Sequence, residues 1–224
     1  MNEIEIINYI RNIFEYSKVK LDDDVAYLPN QMALKVDMLV GSTDAPPGIT
    51  FFQIGKKAVA STISDFGVKG VRPTYGLLSY AFPKNLSDKN IKDLVDGTKH
   101  AAKKYGFKLV GGDVNESTDL IVDCLLLGTY KKQVSRGGAK DGDIIYATGE
   151  FGLTKAGLDH LLLHQYLDDK IKALALKQVY DVEPPYKFAV QAVEGGYVSS
   201  SMDSSDGLAY TLNEMASQSN KSFI

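Results

Sequence analysis

TFFQIGKKAVASTISDFGVKGVRP, residues 50–73, is the stretch of this sequence around which the rest of the chain is organised. Thr50, followed three residues later by Gln53, is typical of a helix capping box, and Gly70 with Pro73 predicts the end of the helix. At about 100° per residue, one side of this helix is apolar. Its members are Phe52, Val59, Ile63 and Phe66.

The opposite side of the same helix combines small residues with a carboxylate. It carries Ile54, Ala58, Ser61 and Asp65. Such a row lets another backbone approach closely and then places a negative charge beside it. The alternative is that Asp65 faces water, as a single Asp on a helix usually does. The helix alone leaves both interpretations open.

The composition is that of an ordinary soluble protein. The 224 residues suffice for one large or two small domains, and 44% are hydrophobic and 24% charged. A net charge of −3 without a long Lys/Arg run argues against a nucleic-acid surface. No apolar run is long enough to span a bilayer, so no membrane partner is expected.

Cysteine usage and the start of the chain predict a cytoplasmic protein. The single cysteine, Cys124, excludes an intramolecular disulfide framework. Its apolar surroundings, LIVDCLLL (residues 120–127), indicate a buried structural thiol rather than a nucleophile. The first residues, MNEIEI, lack the basic start and apolar core of a signal peptide. We therefore expect a reducing, cytoplasmic location.

Strands and helices are mixed along the first half of the chain. Apolar residues at helical spacing predict a helix from Ile4 to Tyr16, and Ser87 caps a second helix that reaches Tyr105. Strands are predicted at 32–40, 74–82, 108–113 and 120–130, the third of them ending in a glycine turn. This order predicts an α+β domain whose mixed or antiparallel sheet has helices on one face.

The polar, glycine-rich residues 131–143 predict a linker. They divide the chain into a first domain, 1–131, and a second unit, 132–224. In the second unit we expect a strand from Ile144 to Thr148 and, after two further helical stretches, a helix from Tyr186 to Glu194.

Carboxylates are concentrated at the boundaries of these elements. Asp22, Asp23 and Asp24 stand together before a short strand, and either a solvated turn or a divalent cation could offset their mutual repulsion. At the junction 203–206, Ser205 or Asp206 could serve only as a helix N-cap. Seven boundary carboxylates, with no matching Arg or Lys beside them, together predict divalent metal ions near a polyphosphate. They are Asp23, Asp24, Asp37, Asp65, Asp113, Asp203 and Asp206.

Six motifs together carry a resemblance to a known family. They are DDVA (23–26), VDMLV (36–40), the stretch 58–73, GGD (111–113), RGGA (136–139) and MDSSDGL (202–208). In this order and spacing, over nearly the whole chain, they resemble the thiamine-monophosphate kinase family. Its superfamily includes aminoimidazole ribonucleotide synthetase and selenophosphate synthetase.

The resemblance implies ATP- and Mg²⁺-dependent phosphorylation of thiamine monophosphate to thiamine diphosphate by direct transfer. It also implies that the first-domain sheets of two subunits close into a shared barrel, which makes a homodimer. It assigns the metal ions to the seven boundary carboxylates. It assigns ATP contacts to Gly112, Asp113, Arg136 and Ser205.

The chain departs from the family pattern at several positions. Asp22 replaces a glycine, and Lys35 and Val36 replace hydroxyl residues, so one metal ion could be lost or shared differently. Asp44 replaces a substrate-contacting histidine, which makes it the candidate substrate residue and leaves the substrate open. The cysteines expected of a selenophosphate synthetase or of a hydrogenase-maturation relative are not found.

The family also continues past residue 224. This predicts either a truncated product or a relative with an incomplete second α+β domain. The alternative function is therefore an incomplete paralogue that binds nucleotide and dimerises without turnover.

Overall fold

A computed structural model of the chain describes residues 1–14 and 23–224. Asp22 and the predicted end of the first helix, at residues 15 and 16, lie outside the described residues. The strands are β1 (Ala26–Leu28), β2 (Met32–Val40), β3 (Arg72–Pro83), β4 (Lys108–Ser117) and β5 (Ile121–Thr129). The helices are α1 (Glu3–Phe14), α2 (Gly41–Asp44), α3 (Phe51–Val68), α4 (Asp88–Tyr105), α5 (Leu153–Leu163), α6 (Asp169–Tyr180), α7 (Tyr186–Glu194) and α8 (Leu208–Ser219).

The five strands form one mixed sheet in the order β1-β2-β5-β3-β4. The β3–β4 pair is parallel, because α4 crosses over between the two strands, and the other pairs are antiparallel. Helices α3 and α4 pack on one face of this sheet, and the buried side chains of both layers form one apolar core. The predicted α+β class and mixed sheet with helices on one face are confirmed.

Strand β4 corrects one predicted detail, because residues 111–113 continue the strand instead of turning. Gly112 pairs with Leu78 of β3, and a Cβ atom at Gly112 would lie 1.8 Å from the Leu78 carbonyl oxygen. The glycine is needed because the two backbones approach closely there.

Helix α3 begins and is capped as the sequence predicts. The Gln53 backbone N–H donates to Thr50 Oγ1 at 3.3 Å, and the Thr50 N–H donates to Gln53 Oε1 at 2.9 Å. The predicted single apolar stripe is wrong, however. Ile54 and Ala58, placed on the other side, are also buried, because α3 contacts the sheet, α4 and α7. Phe52 is partly exposed instead.

Two glycines let α3 and α4 cross at close range. A Cβ atom at Gly97 would lie 2.1 Å from the Phe52 carbonyl oxygen, and one at Gly55 would lie 2.1 Å from the Leu94 carbonyl oxygen. Neither position can hold a larger residue unless the helices move apart. This contact fixes how α4 lies across the sheet.

The sheet face that points away from α3 and α4 is apolar and exposed. Strand alternation places Val36 and Met38 of β2 there, and these side chains are 54% and 60% exposed. Leu77 of β3 shares the face, because Leu77 and Val36 both pair with Leu125. We call Val36, Met38, Tyr75 and Leu77 the outer face.

Regular structure between residues 131 and 224 is helical. The predicted strand Ile144–Thr148 is wrong: Ile144 and Tyr146 are strongly exposed, and residues 144–148 pair with none of the strands that the structure describes. Without a neighbouring strand, the backbone N–H and C=O groups of this segment cannot form the hydrogen bonds of a β-sheet. A single parallel bridge joins Ser135 to Ser200. The predicted helix Tyr186–Glu194 is confirmed as α7.

Helix α7 attaches this region to the sheet. Arg72 at the start of β3 donates two hydrogen bonds to the Glu194 carboxylate, at 2.7 and 2.8 Å. Tyr186 stacks edge-on against Tyr105 at the end of α4. Across the described ranges, 1–14 and 23–224, no helix combines the length and the apolar character needed to cross a membrane.

Candidate functional site

Strand β2 and helix α3 form the first part of the site. Lys35 and Asp37 are two residues apart on β2, so both side chains lie on the face that meets α3. The Lys35 ammonium lies 2.8 Å from Asp65 Oδ2 on α3 and 3.3 Å from Asp37 Oδ1. Asp65 is only 5% exposed, so the alternative in which it faces water is wrong.

The end of α3 and the residues before β1 form the second part. Lys69 follows Asp65 by one helical turn and is fully buried. Its Nζ lies 2.5 Å from Asp23 Oδ1 and 3.0 Å from Asp24 Oδ2, and it donates to the Ser201 carbonyl oxygen at 2.7 Å. A buried ammonium is tolerated here because three oxygens surround it.

Arg136 and the segment 199–203 complete the arrangement. The Arg136 guanidinium donates through Nε, at 2.7 Å, and through Nη2 to one oxygen of Asp24. The backbone carbonyl oxygen of Arg136 accepts a hydrogen bond from Ser200 Oγ at 2.6 Å. Ser201 Oγ donates a hydrogen bond to the Val68 carbonyl oxygen at 2.5 Å. These contacts hold the segment against the end of α3 and bring Asp203 to the site.

Asp24, Asp65 and Asp203 meet as a carboxylate triad. One oxygen from each lies within 4.8 Å of the others, although the three residues come from distant parts of the sequence. Burial and the neighbouring Asp203 and Asp37 raise the pKa of Asp65 to about 9, against the opposing effect of Lys35. Burial and the Asp24 charge also raise the pKa of Asp203. Ionisation of all three triad carboxylates is therefore unfavourable unless further positive charge is nearby.

Two buried carboxylate oxygens in this site accept no hydrogen bond, Asp24 Oδ2 and Asp37 Oδ2. Lys69 is close to Asp24 Oδ2, but as an ion-pair contact without hydrogen-bond geometry. Five carboxylates, those of Asp23, Asp24, Asp37, Asp65 and Asp203, face three cations. The formal excess of negative charge suits a hard divalent cation.

Other predicted site residues lie outside these contacts. Asp113 is exposed on β4 and accepts a hydrogen bond from Asn115 Nδ2 at 3.3 Å. Gly112, beside it, is also exposed. Ser205 and Asp206 are exposed before α8, whose N-cap is Gly207. The alternative in which Ser205 or Asp206 only caps this helix is therefore wrong.

Asp44, the candidate substrate residue, ends the short helix α2. Its Oδ2 accepts a hydrogen bond from the Val40 N–H at 2.7 Å, and its carbonyl oxygen accepts one from Lys57 Nζ at 2.5 Å. In this structure the Asp44 carboxylate stabilises the turn that follows β2.

The structure corrects the expectation that no Lys or Arg accompanies the carboxylates. Lys35, Lys69 and Arg136 all pair with them. One signal in the sequence could have found Lys35, because it precedes Asp37 by two residues on a strand. Lys69 pairs with Asp23 and Asp24, which are distant in sequence, so its ion pairs have no local signal. The Arg136–Asp24 pair has no local signal, because 112 residues separate its members.

Comparison with known proteins supplies the family context of this geometry. A family model described as "AIR synthase related protein, N-terminal domain" matches residues 22–130. The chain is 38% identical over 224 residues to a thiamine-monophosphate kinase from Nitrosopumilus maritimus, covering 100% of this chain and 71% of the relative.

Two solved structures are also similar. One, described as AaThiL complexed with AMPPCP and TMP, matches with a TM-score of 0.88 at 26% identity, covering 97% of this chain and 70% of that chain. Thiamine monophosphate kinase from Aquifex aeolicus matches with a TM-score of 0.86 at 25% identity, covering 98% of this chain and 74% of that chain.

Proposed function

This chain belongs to the thiamine-monophosphate kinase family, and we propose that it phosphorylates thiamine monophosphate with ATP. An oxygen of the substrate's phosphate bonds to the terminal phosphorus of ATP, the bond to the bridging oxygen breaks, and ADP leaves with thiamine diphosphate as product. The observation that carries this proposal is the carboxylate triad of Asp24, Asp65 and Asp203, with its oxygens within 4.8 Å of one another. The AMPPCP and TMP named for the AaThiL structure support the choice of substrates.

The residues present fit Mg²⁺, because the triad offers oxygen ligands and five carboxylates in the site face only three cations. Asp24, Asp65 and Asp203 would hold such an ion, with Asp23 and Asp37 beside them. When bound, Mg²⁺ supplies charge neutralisation for the phosphates of the nucleotide.

The chain's own residues would position the two phosphate-bearing substrates. The planar guanidinium of Arg136, now on Asp24, suits a phosphate oxygen of ATP. Gly112, Asp113, Ser205 and Asp206 remain predicted contacts for nucleotide or metal, and all four are exposed. Asp44 remains the predicted substrate residue beside Lys57.

No side chain has to act as general base in this reaction. The attacking oxygen belongs to a phosphate that is already ionised at neutral pH. Phosphoryl transfer therefore depends mainly on positioning and on stabilisation of negative charge, which the paired lysines, Arg136 and the proposed ion provide.

Assembly as a homodimer is part of the proposal. The exposed apolar residues of the outer face are what a second copy of the same sheet would cover. A second subunit would supply the apolar cover.

The division into domains 1–131 and 132–224 also remains a proposal, supported by the family match that ends at residue 130. A cytoplasmic location is supported by Cys124, which is a free buried thiol.

A kinase assay on the purified chain tests the proposed function. With ATP, MgCl₂ and thiamine monophosphate, we expect thiamine diphosphate, measured by chromatography after conversion to a fluorescent thiochrome. Asp65→Asn should reduce the rate by about a hundredfold or more, because it removes a triad carboxylate. Stability should change little, because the substitution removes one of several crowded carboxylates and so relieves their repulsion, while Lys35 keeps its contact with Asp37.

Asp96→Asn is the matched control, since Asp96 is an exposed helical aspartate on α4. Its activity should equal that of the unmodified chain. ATP binding without any thiamine diphosphate would contradict the kinase proposal and favour the incomplete paralogue.

A further inference from the structure

Lys57 lies on the same side of helix α3 as the triad residue Asp65. Lys57, Ser61 and Asp65 follow one another at intervals of four residues, so their side chains form one row along the helix. At 1.5 Å per residue, Lys57 precedes Asp65 by about 12 Å along the helix axis. Lys57 is therefore at the end of this row that points away from the triad.

The Lys57 ammonium has fewer partners than the neighbouring lysines. It donates to the Asp44 carbonyl oxygen at 2.5 Å and, within the described part of the chain, it pairs with no carboxylate. Lys35, Lys56 and Lys69 each pair with at least one carboxylate. Because an ammonium has three N–H donors, Lys57 can still bind an anionic ligand.

Partial burial strengthens the attraction between this ammonium and an anion. Burial lowers the pKa of the Lys57 ammonium, although the Asp44 charge acts in the opposite direction. A charge that has lost part of its hydration gains more from an anionic partner than a fully exposed charge does. A phosphate group would supply oxygens in place of the lost water.

We propose that the Lys57 ammonium binds the phosphate group of thiamine monophosphate, on the side of the triad opposite Arg136. This inference rests on the proposed function, because it names the residue that holds the acceptor substrate of that reaction. In the free protein, the Asp44 carbonyl oxygen keeps the ammonium in place.

The order of charges along α3 assigns the two substrates to opposite sides of the triad. One turn after Asp65, Lys69 contacts Asp24, which also accepts from Arg136, the proposed ATP contact. Lys57 precedes Asp65 by two turns, in the other direction. Phosphoryl transfer requires the attacking and leaving oxygens to be roughly in line across the transferred group. With ATP on the Arg136 side, the acceptor phosphate belongs on the Lys57 side.

Binding of thiamine monophosphate, compared with binding of thiamine, tests the proposal without turnover. Thiamine lacks the phosphate group, and calorimetry with Mg²⁺ and AMPPCP present measures both affinities. The unmodified chain should prefer thiamine monophosphate. Lys57→Gln keeps an N–H donor for the Asp44 carbonyl oxygen but removes the charge. It should weaken thiamine monophosphate at least about tenfold and leave thiamine unchanged. Lys57→Arg, which keeps the charge, should retain the preference.

Lys56→Gln is the matched control, because Lys56 is the adjacent lysine on α3 and pairs with Asp181. It should leave both affinities unchanged. Circular dichroism verifies the fold of each variant, and Lys57→Met replaces Lys57→Gln if the latter does not fold.

An equal loss of affinity for both ligands in Lys57→Gln would indicate a structural role and overturn the proposal. Unchanged affinity for thiamine monophosphate would overturn it as well. If the unmodified chain binds no thiamine monophosphate, both this inference and the proposed function are wrong. Binding that depends on Lys57 but leads to no turnover would support the inference and contradict only the kinase activity.

Discussion

Buried charges in this protein are stabilised by direct pairing. Lys69 is completely buried, and its ammonium contacts Asp23, Asp24 and the Ser201 carbonyl oxygen. Arg136 pairs with the other oxygen of Asp24. Removal of one partner from such a group leaves an uncompensated charge away from water, which is usually costly. The cluster is therefore a structural link between β1, α3 and the segment 199–203 as well as a candidate site.

Cys124 yields a prediction at the same scale. Its thiol is fully buried, and burial, together with the nearby Asp37 and Asp123 charges, raises its pKa to about 12. In the folded chain the thiol should therefore react with Ellman's reagent at pH 8 only as fast as the protein unfolds. Addition of guanidinium should expose one thiol per chain, measured by absorbance.

The same pKa shift predicts a loss of stability in alkali. Above about pH 9 the unfolded chain loses the thiol proton while the native chain retains it, so the free energy of unfolding should fall as the pH rises. In Cys124→Ala this contribution should be absent. In the labelling experiment, rapid reaction of Cys124 with Ellman's reagent in the native chain at pH 8 would contradict the burial of this thiol.

Helices α3 and α4 are held together by backbone contact at glycines. The close approach at Gly55 and Gly97 accompanies the full burial of Ile63, Phe66 and Leu94 in the core above the sheet. The position of α3 then places Asp65 against β2 and Lys69 against the residues before β1. Helix packing in this way sets the geometry of the site.

Gly97→Ala tests this packing. The added Cβ would lie 2.1 Å from the Phe52 carbonyl oxygen, so the helices must separate, and we expect a loss of about 1–3 kcal/mol in the free energy of unfolding. Urea denaturation measures it. Lys99→Ala, an exposed change on the same helix, should stay within about 0.5 kcal/mol. Equal midpoints for the two variants would argue against close helix contact.

At the scale of the whole molecule, the sheet has one face covered by helices and one exposed apolar face. β4 is also an edge strand, with Val110 and Val114 exposed on it. Exposed edges and apolar faces favour association with another copy of the chain. A charge on β3 should therefore act differently on the two faces of the sheet: on the exposed face it should affect assembly, and on the helix-covered face it should affect folding.

Leu77→Asp and Leu78→Asp separate assembly from folding. Leu77 is on the outer face, so Leu77→Asp should give a folded monomer, measured by light scattering at micromolar concentration and by circular dichroism. Leu78 is 4% exposed and Leu126 is fully buried against the helices, so a charge at either should unfold the chain instead of only disrupting a dimer.

Val95→Asp is the control for Leu77→Asp, because Val95 is exposed on α4, away from the outer face. It should leave the oligomeric state unchanged. An unmodified chain that is monomeric under the same conditions would contradict the proposed homodimer.

The sequence by itself determined several of the helices and named the five acids that cluster, among others that do not. Periodicity and capping signals located α3, α4 and α7, because these depend on local spacing and on side chains within one helical turn. The boundary carboxylates Asp23, Asp37 and Asp203 were evident because turns and strand ends are short and polar. The order and spacing of the six family motifs added the expectation that these carboxylates bind metal ions.

Only the tertiary structure decided which charges meet. Asp24, Asp65 and Asp203 converge because α3 crosses the sheet and the segment 199–203 returns to its end, and neither contact has a local signal. The same packing brought Lys69 and Arg136 onto the acids, and it left residues 144–148 without a strand partner. Long-range contacts of this kind depend on how whole elements pack, which short-range periodicity does not encode.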